Sequence, residues 1–168
     1  MASSICNCDP MIRCGIGYDV HRLAVDRKLI LGGVAIPHSR GLEGHSDADV
    51  LSHAIADALL GAIGAGDIGR HFPNTDESIR GISSLEILKR VAQLLANNRA
   101  RLINVDATVV AEAPKIGPHV AGMRKNIAQA LGTEVSSISV KATTNENLGS
   151  LGRGEGIAAI AIAMVEQK

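Results

Sequence analysis

"SRGLEGHSDADVLSHAIADALLGAIGAGDIG", residues 39–69, decides whether the chain mixes helices with its strands or is built of strands alone. Val50, Leu51, Ala54, Ile55, Ala58 and Leu59 recur in it at helical spacing, so one face of a helix is apolar. Ser46 and Asp49 fit the N-cap and N3 positions of a capping box, which predicts a helix start near Asp47. Gly64 and Gly66 should end it. His53 and Asp57, four residues apart, share one face of that helix. His45 and Ser46 stand at its beginning, where free N–H groups and the helix dipole favour an anion such as phosphate.

Upstream, residues 11–18 and "LILGGVAI" at 29–36 read as two strands of a hairpin-like pair, with Gly32 and Gly33 implying a bulge or a close contact in the second. Downstream, Leu85, Leu88, Val91, Ala92 and Leu95 mark a second helix from Ser84 to Asn97, with Ser83 and Glu86 as its capping box. "INVDATVVAEA" at 103–113 alternates as a strand. A third helix is expected from Pro118 to Leu131 with Gly132 as its C-cap. "SISVKAT" at 137–143 and "GIAAIAIAMVE" at 156–166 complete the strands. Strands and helices alternate along much of the chain, which predicts an α/β, two-layer domain with helices over one face of a sheet.

A chain of 168 residues, 46% of them hydrophobic, is long enough for one such domain. Seventeen Lys and Arg balance seventeen Asp and Glu, so no overall basic field argues for nucleic acid or an anionic membrane. With no Trp, one Tyr and one Phe, it also lacks stacking platforms for single strands. No apolar run is long enough to span a bilayer, and "MASSICNCDP" has no secretion-signal character, so the expected compartment is the cytoplasm. Cys6, Cys8 and Cys14 are a poor basis for a disulfide framework. Cys6 and Cys8 suit either a C-x-C metal pair or, the simpler reading, a frayed extension over residues 1–10; Cys14 reads as core.

The chemistry begins at "GIGYDVH", residues 15–21, where Asp19 and His21 point to the same side of an extended segment. If His53 approaches them, the three form a 2-His-1-carboxylate set with open positions; Zn²⁺ and non-haem Fe(II) both accept such a set, and a satisfied surface histidine is the simpler alternative. Asp57 would then lie behind the ligands or touch substrate. Asp67 in "GAGDIG" suits a pair of sugar hydroxyls or only a turn. "APKIGPH" at 113–119 and "KATTNENLG" at 141–149 follow strands, where ligands of α/β sheets tend to bind. "GSLGRGEG" carries Arg153 and Glu155 among glycines but lacks the Lys-Ser/Thr of a P-loop, and "GIGYDV" lacks the third Gly of a dinucleotide fingerprint.

Taken in order, "YDVHRL", "LGGVAIP", "GLEGHSDADVLSHAIADALLGA", "GDIGRHFPNTD", "VDATVVAEAPKIGPH" and "VKATTNENLGSLGRGEGIA" resemble the 2-C-methyl-D-erythritol 2,4-cyclodiphosphate synthases of the non-mevalonate isoprenoid pathway, from about Ile12 to Val165. The resemblance implies a homotrimer with active sites between subunits, each subunit a mixed four-stranded-type sheet with helices on one face, and a single synthase domain over residues 11–168. It implies a lyase that turns 4-diphosphocytidyl-2-C-methyl-D-erythritol 2-phosphate into the cyclic diphosphate and CMP, by attack of the 2-phosphate on the β-phosphorus. A metallophosphoesterase and a non-catalytic isoprenoid-diphosphate-binding trimer are the alternatives.

By the same resemblance, Asp19, His21 and His53 bind Zn²⁺, and Glu146 holds a second divalent ion, Mg²⁺ or Mn²⁺. His45 and Thr144 stabilise the transferring phosphoryl region, and Ser46 helps hold phosphate. Asp57, Asp67, Ile68 and Gly69 line the ribose and erythritol site, closed by the segment from Phe72 to Asp76. Cytosine is held by Ala111, Ala113, Pro114, Ile116 and Gly117, with Thr143 and Thr144 nearby and Lys115 toward the phosphates, and Asn145 is a further substrate contact. Ser150 and Arg153 complete the expected substrate contacts, and Arg153 and Glu155 map near the trimer axis, where an isoprenoid diphosphate is a possible ligand. Three positions depart from the family pattern: Asn74 stands for a frequent Asp, Gly117 for a larger apolar residue, and Ser150 for an aromatic.

Overall fold

In the computed structural model, residues 9–73, 75, 77 and 81–168 are described. Of the extension expected over residues 1–10, residues 1–8 with Cys6 and Cys8 lie outside them, as do Asn74 and Asp76. Strand β1 (Met11–Ala24) is followed by β2 (Leu29–Leu31), β3 (Val34–Ile36) and β4 (Gly41–Leu42), then helices α1 (Val50–Ala62), α2 (Ile68–His71) and α3 (Ser84–Asn97). After β5 (Ala100–Val110) come a 3₁₀ turn at Gly117–His119, α4 (Val120–Leu131), β6 (Ile138–Thr143), α5 (Gly149–Gly152) and β7 (Gly156–Gln167). None of the described helices is long and apolar enough to cross a membrane.

The sheet is mixed and five-stranded, in the order β4-β1-β7-β5-β6, not four-stranded; the extra strand is the two-residue β4 on the edge of β1. β1 pairs antiparallel with β7 along nearly its whole length, and β7 pairs antiparallel with β5, which runs parallel to β6. The expected pairing of residues 11–18 with 29–36 is not formed. Residues 29–36 make their own hairpin, turning at Gly32 and Gly33, both with positive φ that only glycine adopts freely. β1 in turn runs six residues beyond Tyr18, because Asp19, His21 and Leu23 keep the alternation while β7 supplies partners as far as Arg22.

That alternation divides the sheet into two unlike faces. Opposed residues of antiparallel strands point the same way, so Gly15, Gly17 and Asp19 share a face with Ala163, Ala161 and Ala159. These small residues let α1 lie almost on the strands: a β-carbon on Gly15 would stand 2.1 Å from the Ala58 carbonyl oxygen. Leu51, Ile55 and Leu59 of α1 are fully buried, each worth about 1.5–3 kcal/mol. Helices α3 and α4 extend the helical layer over β5 and β6. On the opposite face Ile16, Tyr18, Val20, Ile160, Ile162 and Met164 remain exposed, and Cys14 lies there as well, outside the core where sequence placed it.

Local signals fared well. Ser83 caps α3 with its hydroxyl on Leu85 N, although Glu86 pairs with Lys89 rather than closing a box. Gly132 caps α4 at φ 65°, ψ 37°. The α1 box fails: the N-cap is Asp49, whose carboxylate accepts from Ser52 N at 3.1 Å, Ser52 Oγ at 2.8 Å and Gly33 N at 2.8 Å. Ala48 takes φ 57°, which turns Ser46 away from the helix end. The first turn of α1 is therefore closed by a buried carboxylate.

Candidate metal centre and substrate cavities

Gly17 is the residue that brings the site together. Its missing side chain lets α1 approach until a β-carbon there would touch Ala54 O at 2.0 Å and the Asp57 side chain at 2.9 Å. His53, one residue before Ala54, then meets Asp19 and His21, which follow Gly17 on the same face of β1. Asp19 Oδ2 lies 2.9 Å from His21 Nε2 and 2.9 Å from His53 Nδ1, and the two ring nitrogens are 3.3 Å apart. Among the described residues this is the one group of three such side chains whose ligand atoms converge within 4.8 Å. Ligands about 2.0–2.1 Å from a tetrahedral ion stand roughly 3.3 Å apart, so the donor set fits a small divalent metal with a small adjustment.

The electrostatics agree with such a role. Burial works against ionising Asp19, but hydrogen bonds and charge from His21 and His53 hold its carboxyl well below the usual carboxylate range. Burial likewise opposes charge on His21, yet the Asp19 hydrogen bond and charge leave its imidazole above its ordinary value of 6.5. His21 Nδ1 donates to the Glu43 carbonyl at 2.5 Å. A carbonyl only accepts, so Nδ1 carries a proton and Nε2 is the nitrogen left for a metal.

Around the three lies a cavity of about 240 Å³, lined among others by His45, Ser46, Asp57, Ile68, Gly69 and Phe72. Asp57 Oδ1 accepts from Ile68 N at 2.7 Å, tying α1 to α2, and among the described residues its other oxygen takes no hydrogen bond. Burial pushes the Asp57 carboxyl up. Asp67 caps α2 through Arg70 N at 2.9 Å and does not line the cavity. Ile82 and Ile87 supply apolar wall that spacing alone did not reveal.

A second cavity of about 300 Å³ is lined by Ala111, Pro114, Lys115, Ile116, Gly117, Thr143 and Thr144, with Glu112 among them. It shares no residue with the first. β1, β5 and β6 run in the same direction, so both cavities open at one end of the sheet. Their strands, β1 and β6, stand three positions apart, roughly 14 Å at usual strand spacing. Thr144 Oγ1 donates to Glu146 Oε1 at 3.0 Å beside the second cavity. Ala113, Asn145, Ser150 and Arg153 line neither: Asn145 bonds Leu148 O, and Arg153 pairs with Glu155 at 2.7 Å. Asp76 lies outside the described residues.

Sequence reading missed Glu112, Asp47 and Ser84. Glu112 Oε1 accepts from Asn145 N at 2.8 Å and Asn147 N at 3.2 Å, anchoring the loop that carries Glu146. Asp47 and Ser84 stand behind His53, with Ser84 Oγ 2.9 Å from His53 Nε2. Their contact spans 37 residues, and no local pattern signals it.

The YgbB family model matches residues 12–166. The 2-C-methyl-D-erythritol 2,4-cyclodiphosphate synthase of Syntrophotalea carbinolica is 58% identical over 157 residues, covering 94% of this chain and 96% of that one. Among solved structures, the bifunctional IspDF of Campylobacter jejuni superposes with a TM-score of 0.91 at 41% identity over 95% of this chain, which spans 43% of that larger protein. The IspF of Plasmodium falciparum, described as a CDP complex, gives a TM-score of 0.82 at 36% identity over 94% of this chain and 97% of that one.

Proposed function

The chain belongs to the YgbB family, and from that premise we propose that it converts 4-diphosphocytidyl-2-C-methyl-D-erythritol 2-phosphate to 2-C-methyl-D-erythritol 2,4-cyclodiphosphate and CMP. Its curated relatives are lyases of isoprenoid biosynthesis bearing that product's name. The observation that carries the reading is the convergence of Asp19, His21 and His53 at the head of a cavity lined by His45 and Ser46.

In this reaction an oxygen of the 2-phosphate bonds to the β-phosphorus, and the bond from that phosphorus to the bridging oxygen breaks, releasing CMP. The nucleophile is already anionic, so no side chain has to abstract a proton; positioning and charge neutralisation carry the rate. Asp19, His21 and His53 would hold Zn²⁺, and Glu146 a Mg²⁺ or Mn²⁺, ions that orient the diphosphate and neutralise its developing charge. His45 and Ser46 donate to phosphate oxygens from the cavity wall. Asp57 and the Ile68–Gly69 backbone face the sugar portions, and Phe72 walls the cavity beside them. Thr144 donates to the transferring phosphoryl group, and Lys115 reaches the phosphates from the second cavity. Main-chain N–H and C=O groups of the Ala111–Gly117 loop read the cytosine edge.

Two halves of this machinery lie in separate cavities of one chain. A homotrimer that sets the base-binding loop of one copy against the metal centre of the next joins them. The exposed apolar face of β1 and β7 is the surface such an assembly would cover. Residues 11–168 form one synthase domain on this reading, with the cytoplasm as its compartment. The trimer axis, beside Arg153 and Glu155, can take an isoprenoid diphosphate.

Phosphorus-31 NMR tests the reaction. Purified protein given the diphosphocytidyl 2-phosphate and Mg²⁺ should produce a coupled pair of cyclic-diphosphate resonances together with CMP, and His53→Ala protein should not. Inorganic phosphate instead would establish a metallophosphoesterase, and bound but unchanged substrate a binding protein.

A further inference from the structure

His53 presents its two ring nitrogens to different surroundings. Nδ1 faces Asp19 and His21, whereas Nε2 faces Ser84 Oγ at 2.9 Å and Ser46 Oγ at 3.1 Å. An imidazole that binds a metal through Nδ1 must carry its proton on Nε2. Asp19 Oδ2, 2.9 Å from Nδ1, only accepts and favours a proton on that side, so a proton on Nε2 has to be held by the neighbours of Nε2.

Ser84 decides it by the direction of its one proton. Its hydroxyl donates to Asp47 Oδ1 in a very short contact, and its backbone N–H donates to Asp47 Oδ2 at 3.0 Å. A carboxylate only accepts, so the Ser84 proton is committed to Asp47 and Ser84 Oγ can only accept from His53. Nε2 must then be the donor, so when a metal takes the place of the hydrogen bond from Nδ1 to Asp19 the proton that the ring keeps is the one on Nε2. Ser84 is fully buried, so water cannot take over its part. Asp47 is held in turn, its N–H donating to Ile82 O at 3.1 Å. Ser46 Oγ accepts from Ala48 N at 3.1 Å and is not needed by His53 in this scheme, which leaves its proton for a ligand in the cavity.

We propose that Asp47 and Ser84 are positioning residues of the metal centre, a relay that fixes the proton of His53 on Nε2 and so makes Nδ1 a ligand. The inference rests on the reading of Asp19, His21 and His53 as a metal site. Asp47→Asn is its sharpest probe. Both carboxylate oxygens take a backbone N–H, Oδ2 that of Ser84 at 3.0 Å and Oδ1 that of Asp49 at 3.3 Å; the shorter bond claims the carboxamide oxygen, which turns the carboxamide NH₂ toward Ser84 Oγ. The Ser84 proton is then redirected at His53 Nε2, and the imidazole proton moves to Nδ1, where it blocks the metal. Shape is kept while the proton order is reversed.

The test is zinc affinity of the full-length protein by chelator competition, for wild type, Ser84→Ala and Asp47→Asn, with thermal unfolding of each metal-free protein to establish that it is folded. Both variants should bind zinc 10–100-fold more weakly, the range for lost partners of a metal-bound histidine, with Asp47→Asn at least as weak as Ser84→Ala. With imidazole-¹⁵N label, the zinc-loaded wild type should show the His53 proton on Nε2. Folded variants with wild-type zinc affinity, or melting points lowered without a change in affinity, would overturn the relay and leave the metal site standing. Zinc binding by wild type that is unaffected in His53→Ala would overturn the metal reading itself.

Discussion

Gly17 and Ala54 are in backbone contact: a β-carbon on Gly17 would stand 2.0 Å from the Ala54 carbonyl oxygen, a separation that real atoms do not tolerate. With the equally tight contact of Gly15 one turn further along the helix, this approach sets the height of α1 above β1, and Gly17, the nearer of the two, sets the distance from His53 to Asp19.

Gly17→Ala should therefore lower both stability and zinc content. Overpacking of this kind costs typically 1–3 kcal/mol, and the helix can yield only by carrying His53 away from Asp19 Oδ2. Gly61→Ala is the matched control, since its added β-carbon meets nothing closer than 3.9 Å and its exposed position is helical. That change should stabilise by up to about 1 kcal/mol. Melting temperature and zinc per chain would be measured for both; a Gly17→Ala protein with full zinc content would show that the contact does not position His53.

What could be read ahead of the structure follows the range of the interactions. The α3 start at Ser83 and the α4 stop at Gly132 were legible because caps are decided within a few residues. The span of β1 and the separate hairpin at residues 29–36 were not, since β7, over a hundred residues away in sequence, supplies the partner of β1. Asp19 and His21 could be placed on one face from their spacing alone, whereas their meeting with His53 depends on glycines whose purpose appears only once α1 lies on them. Asp47 and Ser84 left no trace because each is also an ordinary residue for a loop or a helix start. The split of the substrate residues between two cavities is a property of the sheet order, which no local pattern encodes.

The outer face of the sheet gives a second expectation. Ile16 sits opposite Ile162, and Tyr18 opposite Ile160, all exposed on the side away from the helices. If copies of the chain cover this face, Ile162→Glu would bury a charge at the interface, at a cost of several kcal/mol per site. Sedimentation should show the wild type at three times the chain mass and the variant dissociated. A monomeric wild type would refute the assembly on which the joining of the two cavities depends.

Asp57 should separate stability from activity. Burial raises its carboxyl above 3.8, so the native state resists its ionisation more than the unfolded chain does. A group with a raised native value contributes most to stability below its unfolded value, and loses that contribution as pH rises through the native one. Asp57→Asn keeps an oxygen for Ile68 N and removes the charge. Urea unfolding of metal-free protein should thus find the two alike near pH 3, with the variant gaining up to about 1 kcal/mol by pH 7, the half-exposed site limiting the effect. Turnover should fall at least tenfold if Asp57 faces substrate. A variant that is both less stable at pH 7 and fully active would contradict both roles.

Glu112 provides the last. The loop after β6 carries Glu146 at φ 51° and Asn147 at φ 60°, two successive residues in the left-handed region, where a non-glycine residue costs on the order of 1–3 kcal/mol. Glu112 Oε1 offsets that cost by accepting from the N–H groups on either side of Glu146, those of Asn145 and Asn147. Without this acceptor the loop can relax toward ordinary backbone, and the Glu146 carboxylate loses its aim and its bond from Thr144. Glu112→Ala should then need at least tenfold more Mg²⁺ for half-maximal turnover, while zinc content stays at the wild-type level, because Asp19, His21 and His53 line the other cavity. Glu112→Gln, which keeps an acceptor oxygen, should be milder. Mn²⁺ binding followed by electron paramagnetic resonance separates the alternatives: if Glu112→Ala binds Mn²⁺ as tightly as wild type, Glu146 is aimed by its own loop and Glu112 plays no part in holding the second cation.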